Sequence, residues 1–147
     1  MKNNFVKFIV LFLSFCSSFV VFAEDRPQIA VVKTLKLIFD KPNSALSVDA
    51  VAVSHSGKYS LASWSQNGAG GRALLKKNGG IWEVILCGGK DLLKTNTLEQ
   101  VGIDKRESYE IIQKLKDSEN KFTKKQRSTF DSFKSIAENI HPKVVSE

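Results

Sequence analysis

Lys58-Tyr59-Ser60-Leu61-Ala62-Ser63-Trp64-Ser65, Arg72-Ala73-Leu74-Leu75-Lys76-Lys77 and Ile81-Trp82-Glu83-Val84-Ile85-Leu86-Cys87 are three strand-length runs. Asn67-Gly68-Ala69-Gly70-Gly71 and Asn78-Gly79-Gly80 separate them. Leu46–Ser54, rich in Val and Ala, precedes them across the turn His55-Ser56-Gly57. Four short runs joined by three tight turns predict an antiparallel meander over Ala45–Leu86. The glycines of Asn67–Gly71 read as suppliers of positive φ in a hairpin turn. Period-two alternation in the last run places Ile81, Glu83, Ile85 and Cys87 on one face, and Trp82, Val84 and Leu86 on the other.

Helices flank this core. Over Arg26–Phe39, with Pro27 at the first turn, Ile29, Val32, Leu35 and Phe39 recur at helical spacing; Val31 and Ile38 widen the stripe. Asp40-Lys41-Pro42-Asn43 ends it. Downstream, Gly102 closes a short helix around Leu98–Val101. Asp104-Lys105-Arg106-Glu107 and Thr123-Lys124-Lys125-Gln126 have the form of capping boxes. Tyr109, Ile112 and Leu115 follow the first; Phe130, Phe133, Ala137 and Ile140 follow the second, with His141-Pro142 as the stop. The predicted class is α+β: an N-terminal helix packed on a four-stranded antiparallel meander, cystatin-like or NTF2-like in outline, then a C-terminal helical hairpin.

Met1–Ala23 reads as a secretory signal peptide. Lys2 and Lys7 lead an apolar run, Phe8–Phe22, which is shorter than the roughly 20 residues of a bilayer span, and Val21-Phe22-Ala23 is a usable cleavage site. Phe15 before Cys16 argues against lipid attachment there. Cleavage leaves one domain, 24–147, in the periplasm or secreted, with no transmembrane segment. That is 124 of the 147 residues, and loss of two lysines takes the formal charge from +7 to +5. A basic exported chain suits an anionic envelope surface or an acidic partner. No nucleic-acid module is recognisable, so RNA and DNA are not expected partners.

The exported chain keeps one cysteine, Cys87, and no methionine. An internal disulfide is therefore impossible, and a soft metal would have one thiolate to bind. His55 lies in a turn and His141 at a helix end; neither has a partner at metal-ligand spacing. Cys87-Gly88-Gly89 reads as a small buried side chain before two turn glycines, or as a thiolate ligand. Asn67–Arg72 lacks the Gly-Lys-Ser/Thr ending of a phosphate loop and leads into a strand, although Arg72 beside Gly70 and Gly71 could hold a carboxylate or phosphate. Trp64 and Trp82 read as sheet-face packing, with a ligand platform as the rarer use. No Gly-x-Ser-x-Gly elbow or paired carboxylate stands out, so an enzyme is not expected.

Leu61-Ala62-Ser63-Trp64-Ser65-Gln66, Gly70-Gly71-Arg72-Ala73-Leu74-Leu75-Lys76-Lys77 and Trp82-Glu83-Val84-Ile85-Leu86-Cys87-Gly88-Gly89 resemble the small exported copper uptake system-associated proteins. Leu98, Val101-Gly102-Ile103, Phe130 and Phe133 extend the likeness. The resemblance implies a non-enzymatic periplasmic accessory of bacterial copper uptake, which binds copper or another component of the uptake system. It raises the interest of Cys87, His55 and His141 as metal ligands but names no ligand set. The other readings are an NTF2-like small-ligand cavity between helix and sheet, and an envelope interaction module without metal.

Overall fold

A computed structural model describes residues 26–134 and the backbone of 137–138. The leader, His141 and Ile140 lie outside the described residues. Helix α1 (Pro27–Phe39) is followed by strands β1 (Ser47–Val53), β2 (Tyr59–Gln66), β3 (Ala69–Asn78) and β4 (Ile81–Gly88). A 3-10 turn (Lys90–Leu93) then leads to α2 (Thr95–Gln100), α3 (Lys105–Glu119), α4 (Lys124–Phe130) and the two-residue strand β5 (Ala137–Glu138). The strands form one antiparallel sheet in the order β1-β2-β3-β4-β5. Among the described residues no helix is long and apolar enough to cross a membrane.

The meander is sharper than its sequence suggests. Asn67 (φ 50°) and Gly68 (φ 75°) alone turn β2 into β3. This two-residue turn needs positive φ at both positions, which Asn and Gly tolerate. Ala69, Gly70 and Gly71 belong to β3, paired with Gln66, Ser65 and Trp64. The expectation that Gly70 and Gly71 are turn residues is therefore corrected: neither has a positive φ.

Each face of the sheet is covered, giving three layers. On one face α1 brings Val31 and Leu35 onto Leu46, Ala62, Ala73, Leu75, Trp82, Val84 and Cys87. On the other, Leu92, Leu98, Ile103, Ile111, Ile112 and Leu115 pack on Ala50, Ala52, Tyr59, Leu61, Leu74 and Leu86. The buried side of α1 runs through Val31 and Leu35, with Ile38 and Phe39 beside it. Ile29, expected in the core stripe, is 58% exposed. Tyr109 of α3 likewise faces outward, and Ser108, Ile111, Ile112 and Leu115 fill the inner stripe.

Two bulges set the faces. β1 skips Asp49 between Val48 and Ala50. β4 skips Ile85, since Leu74 pairs with Leu86 and Leu75 with Val84. An extra residue shifts the two-residue period by one. Cys87 therefore joins Trp82 and Val84 on the α1 face, and Ile85 packs against the opposite core with Leu86. The alternation expected for Ile81–Cys87 holds only as far as the bulge.

Helix ends follow local chemistry where it is strong. Gly102 (φ 89°) closes α2, with Ile103 N–H on the Leu98 carbonyl and Gly102 N–H on that of Glu99. Asp104 accepts from Glu107 N–H at 2.9 Å, while the Glu107 carboxylate is taken by Ser56 instead of returning to the cap. Thr123 and Gln126 form the full reciprocal box. The predicted hairpin differs at its end: α4 stops at Phe130, and Ala137 pairs with Cys87 as a strand. Ser128, Thr129 and Ser132 turn their hydroxyls onto backbone carbonyls of this short helix, which favours termination. The free edge of β4 then offers backbone partners to Ala137 and Glu138.

Candidate functional site

Arg72 is the largest fully buried side chain among the described residues, 1% exposed. β3 turns it toward the α3 face, where Nε donates to Glu119 Oε1 at 2.8 Å and Nη2 to Oε2 at 2.9 Å. Nη1 donates to Asp131 Oδ1 at 2.8 Å and to the carbonyls of Gly89 (3.2 Å) and Phe130 (3.4 Å). Ser63 Oγ adds a hydrogen bond to Glu119. Burial alone would lower the guanidinium pKa. The hydrogen bonds and charges of Glu119 and Asp131 more than offset it, so the pKa is raised. Arg72 does hold carboxylates, but they are this chain's own.

Gly70, Gly71 and Gly89 complete this clamp by what they lack. A Cβ on Gly70 would stand 2.6 Å from the Trp64 carbonyl and 2.9 Å from Thr129 Cγ2. One on Gly71 would meet Phe133 and Trp64 at 3.0 Å, and one on Gly89 would meet the carbonyls of Phe133 and Asp131 at 2.6 and 2.7 Å. The three glycines let the segment after α4 lie directly on the sheet rim. Gly88, the last residue of β4, pairs with Arg72 across the ladder. Trp64 is a packing residue between Phe39, stacked at 6.1 Å, and Phe133, edge-on at 5.9 Å.

Cys87 lies at the same end of the sheet on the other face. It is 1% exposed among Val31, Leu35, Ala73 and Val84. Burial pushes its thiol pKa up to about 12, so the sulfur is protonated at neutral pH. His55 is distant in the β1–β2 turn, its side chain 75% exposed, with Nδ1 3.8 Å from Glu110 Oε2. The described residues thus do not bring Cys87 and His55 together, and among them no three His, Cys, Asp or Glu side chains converge as a metal-holding group.

A cleft of about 360 Å³ opens between the start of β1, the β2–β3 turn and α4. The Asp49 bulge aims its carboxylate there, accepting from Ser47 Oγ and Ser65 Oγ, each at 2.7 Å. Gln66, Gln126 and Thr129 add polar lining, and Phe122 and Phe130 the apolar wall. Gln66 Nε2 is spent on the carbonyls of Phe39 and Ser44. Sequence reading did not single out this group, because Asp49 meets Ser65, Gln126 and Phe130 only across long separations along the chain. Compared with known proteins, the chain matches no family model, no curated protein and no solved structure.

Proposed function

We propose that this chain is an exported, non-enzymatic accessory protein of bacterial copper uptake that acts through contact with another component of the system. The resemblance over Leu61–Gly89 supplies the copper setting, and we read the helix-plus-meander as cystatin-like or NTF2-like in outline. The observation that favours a partner over direct copper capture is the enclosure of Cys87. The one soft donor of the exported chain sits in an apolar core as a neutral thiol, and a Cu(I) ion would have to open that core and displace its proton. The test is competition for Cu(I) against a chromogenic chelator. Wild type, Cys87→Ser, and His55→Ala combined with His141→Ala are expected to leave the chelator equally loaded. Stoichiometric copper capture that Cys87→Ser abolishes would overturn the partner reading.

A second reading, small-ligand binding, is favoured by the Asp49 cleft, which joins a half-buried carboxylate and hydroxyls to an aromatic wall. A polar ligand with a hydrogen-bond donor or cationic group suits it. Asp49→Asn would weaken such a ligand while leaving copper behaviour untouched.

A further inference from the structure

The outer side of α1 is apolar where a solvent-facing helix is ordinarily polar. Ile29 and Leu37 are 58% and 77% exposed, and Ile81, at the start of β4, is 68% exposed beside them. Ile29, Lys33 and Leu37 share a recess with Ile81 and Trp82. Val32, Lys36 and Asp40 continue the same surface along the helix. Lys77 approaches from the β3–β4 hairpin, its Nζ 5.8 Å from the Trp82 ring centroid.

The charge on this face is net positive, Lys33, Lys36 and Lys77 standing against one acid, Asp40. α1 contains Lys33 and Lys36 and no Asp or Glu. Asp40, just past its end, is engaged by the Leu46 N–H at 2.6 Å. Glu83 pairs in register with Lys76 and accepts from Asn78, so this acid is answered within the sheet. Isolated apolar tips interleaved with lysines are the composition of a surface that settles into the headgroup region of a membrane, tips among the acyl chains and ammonium groups on phosphates. A second copy packed on α1 would set Lys33 and Lys36 against their own counterparts, with only the Asp40 carboxylate at each helix end to compensate.

We propose that the outer face of α1 with the tip of the β3–β4 hairpin, carrying Ile29, Leu37, Ile81, Lys33, Lys36 and Lys77, docks on an anionic phospholipid surface. The inference takes its setting from the exported location proposed above. Its test uses no copper and no protein partner, so its failure leaves that reading standing.

The experiment is flotation of the exported protein with vesicles of phosphatidylethanolamine and phosphatidylglycerol, beside vesicles of phosphatidylcholine alone. Wild type should float with the anionic vesicles, less so as salt is raised, and remain behind with phosphatidylcholine. Ile29→Ser/Leu37→Ser/Ile81→Ser and Lys33→Gln/Lys36→Gln/Lys77→Gln should each lower partitioning by on the order of tenfold or more. Both triple variants alter exposed positions, and an unchanged circular dichroism spectrum and melting profile identify them as folded. A wild type that ignores anionic vesicles, or binding that both folded variants keep, would overturn the proposal. So would a concentration-dependent dimer of wild type, seen by sedimentation and lost in the apolar variant, which would give the face to a second copy.

Discussion

Arg72 and Cys87 lie one register step apart on neighbouring strands, Arg72 opposite Gly88 and Ala73 opposite Cys87, yet they face opposite layers. Each is 1% exposed. The guanidinium stays charged because two carboxylates, two carbonyls and a bidentate geometry replace the water it has lost. The thiol, set in an apolar cluster without a charged partner, stays neutral. Burial decides nothing about charge by itself; the partners that share it do. One end of this sheet is thus held by a polar clamp that ties α3 and the turn after α4 to β3, and by an apolar core under α1.

Removing Arg72 should have the largest effect on this contrast. Arg72→Met strands Glu119 and Asp131 beside the core without a counter-charge, and the expected loss is about 3–5 kcal/mol in urea unfolding. Adding Glu119→Gln to it should recover part of that loss, because the neutral amide no longer needs a cation. A single-variant loss below about 1 kcal/mol would mean that water reaches the clamp and that the two ends of the comparison differ less than their burial suggests.

The glycine cradle comes next. In Gly89→Ala the new methyl group meets the backbone carbonyls of Phe133 and Asp131, which cannot rotate away as a side-chain tip can. The segment after α4 must lift, drawing Asp131 from Arg72. The expected cost is about 1–3 kcal/mol, with faster amide exchange confined to the last turn of α4 and residues 131–134. A variant as stable as wild type would show that this segment does not bear on the sheet.

The places of the turns and the Thr123 cap were legible because their determinants are local, whereas Gly70 and Gly71 lie outside the turn expected of them and Glu107 does not complete its box. Asn67-Gly68 and Gly79-Gly80 fix two hairpins, and Thr123 with Gln126 fixes the start of α4. The α1 boundaries were legible from Pro27 and the Asp40–Asn43 stop. Its buried side was not, since Ile29, Val31, Val32, Leu35 and Leu37 surround the helix and periodicity cannot choose among them. The clamp was hidden for a different reason. Arg72 finds Glu119 47 residues away and Asp131 59 residues away, so the need for Gly70, Gly71 and Gly89 to be small comes from a segment far along the chain. Likewise the Ile85 bulge moves Cys87 to a face that alternation alone assigns differently.

The finest test of the comparison is alkaline titration of Cys87. In the unfolded chain the thiol ionises near its ordinary value of 9.0, whereas in the fold it keeps its proton to about 12. Between these values the native state binds more protons than the unfolded state, so the free energy of unfolding falls as pH rises. The thiol's stabilising contribution is complete below about pH 9 and is lost as pH climbs toward 12. At about pH 10 the expected loss is on the order of 1 kcal/mol. Comparison with Cys87→Ala isolates it from every other group that responds to pH. At neutral pH the variant should be less stable than wild type by about 1 kcal/mol, the cost of a small cavity. That gap should close, or reverse, by about pH 10, because alanine has no proton to lose. A thiol reagent at neutral pH should be slow with native wild type and fast once urea unfolds it. A stability gap that stays constant with pH, together with prompt labelling of the native protein, would place the sulfur within reach of water. It would also return Cys87 to consideration as a copper ligand.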